Sequence, residues 1–169
     1  MDTTAFIAVA LACAPQVEVA TAQALVRVES AFNPWAIGVV GGQLERQPRS
    51  RAEALSTAKA LNAEGWNFSV GLGQINVRNF GRLGLTVETA LSPCANLAAM
   101  QAVLQDCYRR ARAPPSARPV DQVALRRALS CYYSGDFATG YRHGYVHKVV
   151  AAAADADPAR PLIPEKEKS

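Results

Sequence analysis

The sequence has no apolar run near the roughly 18 residues that a membrane span needs, and its longest, Ala5–Ala14, lacks the basic flank of a secretory signal. Aromatic residues are only 7% of the chain, and no clustered basic stripe interleaves with them, so a nucleic-acid partner is not expected. None of the four cysteines forms a CxxC pair, which argues against a zinc site or a dithiol redox motif; no metal and no cofactor is expected. No internal repeat occurs.

What is present points to helices. The chain is 50% hydrophobic, with alanine dominating that half and charged residues scarce, a composition suited to closely packed small-residue helices. A length of 169 residues suffices for one core without a metal or dense disulfides. Eighteen basic against fourteen acidic residues give a net charge of +4, which favours anionic partners such as cell-wall polymer, nucleic acid or lipid headgroups without choosing among them. Arg109, Arg110 and Arg112 fall near a helix end, where cations offset the macrodipole and meet solvent.

Helix boundaries are well punctuated. Phe6–Ala12 reads as a helix stopped by Pro15, with Met1-Asp2-Thr3-Thr4 as its cap rather than a signal start. A second helix runs from about Val17 to Ser30, until Phe32-Asn33-Pro34 breaks it. Ala36–Gly42 is expected to form an extended turn or small hairpin. Ser50-Arg51-Ala52-Glu53 has the form of a capping box opening a helix that Gly65 ends. Trp66–Asn76 reads as a binding loop, with Gly71 and Gly73 beside Ser69, Gln74 and Asn76.

Ser92-Pro93 opens a central helix with an inward stripe of Leu97, Met100, Leu104 and Cys107. Arg112–Pro119 is a proline-rich connector, Asp121 caps a helix ending near Gly135, and Tyr145–Ala154 forms the last helix. The domain is expected over 1–156, with 157–169 a flexible tail. Cys94 and Cys107 share a helix, about 20 Å apart at 1.5 Å per residue, beyond disulfide reach. Two pairings stay open, joining Cys13 to either Cys94 or Cys107, beside the alternative of four free thiols.

One position breaks the pattern. The apolar series Val19, Ala22, Val26 continues onto Glu29, placing a carboxylate on a buried stripe. Desolvation there disfavours the charged form and raises the pKa, which is what a general acid needs to hold a proton near neutrality.

Glu29-Ser30, Gly71-Leu72-Gly73-Gln74-Ile75-Asn76 and Ser130-Cys131-Tyr132-Tyr133-Ser134-Gly135 follow one another in the order of three signatures. With Asn33-Pro34, Pro93-Cys94-Ala95-Asn96-Leu97 and Gly144-Tyr145-Val146, they make the chain resemble the VirB1-type lytic transglycosylases from about Cys13 to Ala153. The resemblance implies a mainly α, lysozyme-like single domain with a small extended or hairpin segment beside the cleft. It also implies cleavage of the β-1,4 bond between N-acetylmuramic acid and N-acetylglucosamine, leaving a 1,6-anhydro product.

Glu29 would then be the one catalytic residue, serving as acid and then as base. Gln74, Asn76 and Ser69 would bind sugar substituents, Tyr132 would brace Glu29 or the saccharide, and Tyr133 and Tyr145 would pack or touch sugar. No second carboxylate is evident; the acidic residues nearest the motifs, Glu64 and Asp136, read as surface and turn residues. Peptidoglycan strands are the implied substrate, type IV secretion or conjugation components the implied partners, and the periplasm the implied compartment, with a leader removed. The alternatives are a lysozyme-type hydrolase that admits water and a noncatalytic glycan-binding or assembly module.

Two positions depart from the broader soluble transglycosylase pattern. Tyr133 stands where many relatives have asparagine, and Gly38 stands where a serine often follows the catalytic glutamate by nine residues, so those contacts do not carry over. The stretch Val39–Asn67 is long for the gap between the first two motifs and is expected to form a lobe beside the cleft.

Overall fold

The computed structural model describes residues 1–112 and 121–155. The connector beyond Arg112 and the tail 157–169 lie outside the described residues. Within them, the chain folds as helices around one long central helix, with a small sheet to one side, the lysozyme-like arrangement that the motifs imply.

Helix α1 (Thr3–Cys13) begins earlier than expected because Asp2 Oδ1 accepts from Ala5 N at 2.9 Å, capping the first turn. Helix α2 (Val19–Ser30) is capped by Glu18, whose carboxylate accepts from Ala20 N and Thr21 N. Its buried face is Ala22, Leu25 and Val26. The residues that leave α2, Ala31 and Phe32, both take positive φ, 49° and 61°. Two successive non-glycine residues in that region cost on the order of 1–2 kcal/mol each. The Phe32 ring meets Phe6 edge-on with centroids 5.2 Å apart, and the Phe32 carbonyl accepts from the Met1 amino group at 2.9 Å. Packing thus holds the bend directly after Glu29.

The sheet corrects two local expectations. Ala36–Gly42 contains strand β1 (Ile37–Val39), but its partner is not a neighbouring arm of a hairpin. It pairs antiparallel with β2 (Phe68–Val70), with Ile37 opposite Val70. Trp66–Asn76 is not a loop throughout: β2 turns through Gly71–Gln74 into β3 (Ile75–Asn76), with Ser69 opposite Asn76. Phe68, Val70 and Ile75 are buried, so alternation was present over runs too short to stand out.

Between β1 and β2 in the chain lies α3 (Arg51–Ala63), within the stretch expected to form a lobe beside the cleft. Ser50 caps it by accepting from Glu53 N at 3.2 Å. The box is not reciprocal, since Glu53 turns outward to Arg46 and to Arg49 N. A short 3₁₀ turn (Val77–Asn79), α4 (Phe80–Leu83) and α5 (Val87–Ala90) lead into the central helix. Such four-residue helices carry no periodic signal.

Helix α6 (Pro93–Ala111) starts on Pro93 at N1 and buries Leu97, Met100, Leu104 and Cys107. Helix α7 (Gln122–Ser134), capped by Asp121, packs along it; α8 (Thr139–Arg142) and α9 (Tyr145–Asp155) follow, with α9 against α2. All four cysteines are bonded. Cys13–Cys94 ties the end of α1 to the start of α6, and Cys107–Cys131 ties α6 to α7, selecting one of the two open pairings and excluding free thiols. Loops of 81 and 24 residues correspond to about 3–5 kcal/mol each in the chain-entropy account. Arg110 lies in the last turn of α6 and meets solvent as expected, and in addition its Nη2 lies 2.8 Å from Cys131 Sγ and its guanidinium 5.8 Å from the Phe137 ring. Among the described residues no helix is long and apolar enough to cross a membrane.

Candidate active site

A groove of about 890 Å³ runs between the helices and the sheet. Glu29, in the last turn of α2, reaches it from the helical side, next to Tyr132 and Tyr133 of α7. Gly38, Val39, Ser69, Gln74 and Asn76 line the opposite side. The three matched motifs therefore meet in one cavity.

Glu29 is largely removed from solvent, and burial raises its pKa to about 7, against the opposing pull of a hydrogen bond from Tyr145. The Tyr145 hydroxyl donates that bond to Glu29 Oε1. Burial and the neighbouring Glu29 charge push the Tyr145 phenol well above its ordinary range, so it stays a donor. Helix α9 begins at Tyr145 and packs on α2, so one helix contact sets both the acid and its partner.

The tyrosines thus divide their work differently from the sequence reading. Tyr145 braces Glu29; it is buried, 6% exposed, and does not line the groove. The Tyr132 hydroxyl donates instead to Gly73 O at 2.5 Å, joining α7 to the turn between β2 and β3. Tyr133 lines the groove and is 46% exposed. It stacks on Tyr145 with centroids 4.6 Å apart and 22° between planes, covering the buried phenol with an exposed one.

The amides are occupied at home. Gln74, at φ 48°, donates from Nε2 to Ala36 O at 3.1 Å and Gly71 O at 3.0 Å. Asn76 Nδ2 donates to Ser69 Oγ at 3.2 Å while its Oδ1 accepts from Arg78 N at 3.0 Å. These bonds close the local turns. A sugar hydroxyl or acetamido group must compete for them or use the remaining lone pairs. Gly38 explains where Gln74 finds room: a Cβ there would stand 2.8 Å from Gln74 Oε1.

Asn96 is a site residue that sequence reasoning quoted in a motif and gave no role. It is 1% exposed in the core. Its Nδ2 donates to Val70 O at 2.9 Å and Ala90 O at 2.8 Å, and its Oδ1 accepts from Gly73 N at 2.8 Å. One amide thus anchors the glutamine turn to α6. Gly71 makes the approach possible, since a Cβ there would lie 2.3 Å from Asn96 Nδ2. The signal was available: Asn96 stands four residues before Met100 on the inward stripe, a polar group where an apolar one was due. Ser130, also buried, plays a comparable part, donating to Asp136 O and accepting from Gly140 N.

A second carboxylate does line the groove, and it is neither Glu64 nor Asp136. Glu64 accepts from Trp66 Nε1 at 3.0 Å. Hydrogen bonds from the Thr139 side chain and the Thr139 and Ala138 amides hold Asp136 well below the usual carboxylate range. The groove acid is Asp106 on α6, paired with Arg110 at 3.1 Å and Arg109 at 3.2 Å. Its i,i+3 and i,i+4 spacing to those arginines was legible in the sequence.

Comparison with known proteins agrees with this assembly. The family described as "Transglycosylase SLT domain" matches residues 7–150. Type IV secretion system protein virB1 of Brucella suis biovar 1 is 49% identical over 153 residues, which cover 88% of this chain and 63% of that protein. Protein virB1 of Agrobacterium fabrum is 40% identical over 154 residues, 88% of this chain and 60% of that protein. The chain thus spans somewhat less than two thirds of the length of these relatives. No solved structure matches at the same stringency.

Proposed function

The chain belongs to the transglycosylase SLT domain family, and from that premise we propose that it is a peptidoglycan lytic transglycosylase with Glu29 as its acid and base. The observation that carries the reading is a single part-buried carboxyl, its pKa raised to about 7 by desolvation, facing a groove whose other carboxylate is paired with arginines.

The chemistry follows from that pair of environments. Protonated Glu29 gives its proton to the glycosidic oxygen as the bond from that oxygen to the anomeric carbon of N-acetylmuramic acid breaks. The positive charge that develops at that carbon is met by the carbonyl oxygen of the 2-acetamido group, which closes on it. Glu29, now a carboxylate held by the Tyr145 hydroxyl, takes the proton from the 6-hydroxyl. The freed O6 attacks the anomeric carbon, the acetamido oxygen leaves, and the 1,6-anhydro ring forms. No water is consumed, and Glu29 ends protonated as it began.

A hydrolase with two carboxylates needs its second one free as nucleophile or base, roughly 5–9 Å from the first. Asp106 is engaged by Arg109 and Arg110, which favours the route through the substrate's own acetamido group. Tyr133, Ser69, Gln74 and Asn76 are the proposed sugar contacts, with Tyr132 holding the glutamine turn in register. The relatives named as type IV secretion proteins extend the proposal: in the periplasm, local opening of the wall would make way for a secretion or conjugation apparatus.

Mass analysis of the muropeptides released from purified sacculi tests this reading. It expects 1,6-anhydromuramic ends. Reducing ends would assign a hydrolase, and no release at all would leave a noncatalytic glycan-binding module.

A further inference from the structure

The reaction uses a neutral Glu29, yet the groove around it is cationic. Its charged lining is Glu29 and Asp106 against Arg78, Arg82 and Arg110. Arg110 is matched by Asp106. Arg78 and Arg82 have no carboxylate within ion-pair distance among the described residues.

The two unmatched arginines are not scattered. They lie four residues apart on the continuous turn that the 3₁₀ segment and α4 make, so both can face one side. They begin two residues beyond Asn76, itself on the groove. Arg82 Nε donates to Asn79 Oδ1 at 3.0 Å, which orients its guanidinium and leaves the outer nitrogens for another acceptor. Two like charges at this spacing repel when nothing lies between them. A solute with carboxylates relieves that repulsion and matches the planar donor fork of each guanidinium.

Peptidoglycan offers such carboxylates in one place. The sugar rings are uncharged; the anionic groups of an intact strand are the free carboxylates of the stem peptides, attached to the muramic acid residue at which cleavage occurs. We infer that Arg78 and Arg82 bind stem-peptide carboxylates and make charged, peptide-bearing strands the preferred substrate. The inference rests on the proposed transglycosylase reading and adds the selectivity of its groove.

The test uses soluble uncrosslinked strands, either unmodified or with their carboxyls converted to carboxamides by carbodiimide and excess ammonia. Amidation keeps the bulk of the peptide and removes its charge. The quantity read is the ratio of kcat/KM on unmodified to amidated strands. The wild-type ratio should be about tenfold, the scale of one or two charge-assisted contacts at a part-exposed site. In the double variant R78Q/R82Q it should fall toward one. Raising the salt to roughly 0.5 M should shrink it in the wild type, because screening reaches a few ångströms. A wild-type ratio near one, a ratio indifferent to salt, or a ratio kept by a double variant with wild-type melting would each overturn the inference. The salt series needs no variant, so a folding failure does not protect the idea. Cleavage of neither strand would overturn the transglycosylase reading itself.

Discussion

The two sides of the groove hold their functional groups by opposite means. On the helical side Glu29 is partly buried at the groove wall, receives one hydrogen bond, and has its pKa raised to about 7 by desolvation. On the sheet side Gln74 donates to two nearby carbonyls and Asn76 to Ser69, while Gln74 Oε1 and the Ser69 hydroxyl proton keep capacity for a ligand. Even within α6 the contrast recurs: Asn96 is buried and fully bonded, while Asp106, three turns along, is part-exposed and ion-paired. Withdrawal from water makes a group reactive; satisfaction makes it a support.

The sharpest way to break this comparison is to exchange the two groove carboxyls for amides. Glu29→Gln should lower kcat by about 10³-fold or more, the scale of a lost general acid, whereas Asp106→Asn should cost less than about tenfold. Steady-state release of anhydromuropeptides separates them; similar losses in the two variants would show that Asp106 shares the chemistry. The same Glu29→Gln variant has a stability signature. Because the folded pKa lies above the unfolded one, the contribution of Glu29 is fully present below about pH 4.5 and is lost as pH rises through about 7. At pH 8 the neutral isostere should therefore be more stable than wild type, by about 3 kcal/mol, and the gap should close below pH 5 in denaturant titrations.

Next in size is the support itself. Asn96→Ala leaves two buried carbonyls and the Gly73 amide without their partner, and should cost about 2–4 kcal/mol by thermal or chemical unfolding. A loss under 0.5 kcal/mol would mean that water replaces the amide.

Tyr145→Phe acts on the acid alone. The hydroxyl lowers the Glu29 pKa against burial, so its removal should move the alkaline limb of the kcat/KM profile to higher pH and reduce the maximal rate by about tenfold. A limb that moves down would show that Tyr145 favours the neutral acid instead.

The smallest expected effect is at Gly38→Ala, whose Cβ would crowd Gln74 Oε1. The glutamine should shift, at a cost of about 1 kcal/mol in stability, with KM changing more than kcat. An unaltered KM would place Gln74 outside substrate binding.

The same contrast explains what the sequence disclosed. The long helices and their caps at Asp2, Ser50 and Asp121 were legible because periodicity and capping are local. Glu29 stood out as the one charge on an apolar stripe. The sheet side was opaque: β1 and β2 are three residues each and about thirty apart, so nothing local announced their pairing. Tyr145 was identified as a site candidate, but its bond to Glu29 spans 116 positions and arises only when α9 lies on α2. Asp106 carried no local mark of the groove, since its i,i+3 and i,i+4 spacing to Arg109 and Arg110 is that of an ordinary helix-surface ion pair.

The most direct test of the central claim is the carboxyl titration of Glu29 itself, followed by ¹³C NMR with the Glu29→Gln variant to assign the resonance. A midpoint near 7 is expected from burial. A midpoint near 4.5, the ordinary glutamate value, would mean a solvated carboxylate unable to hold the proton that the reaction requires.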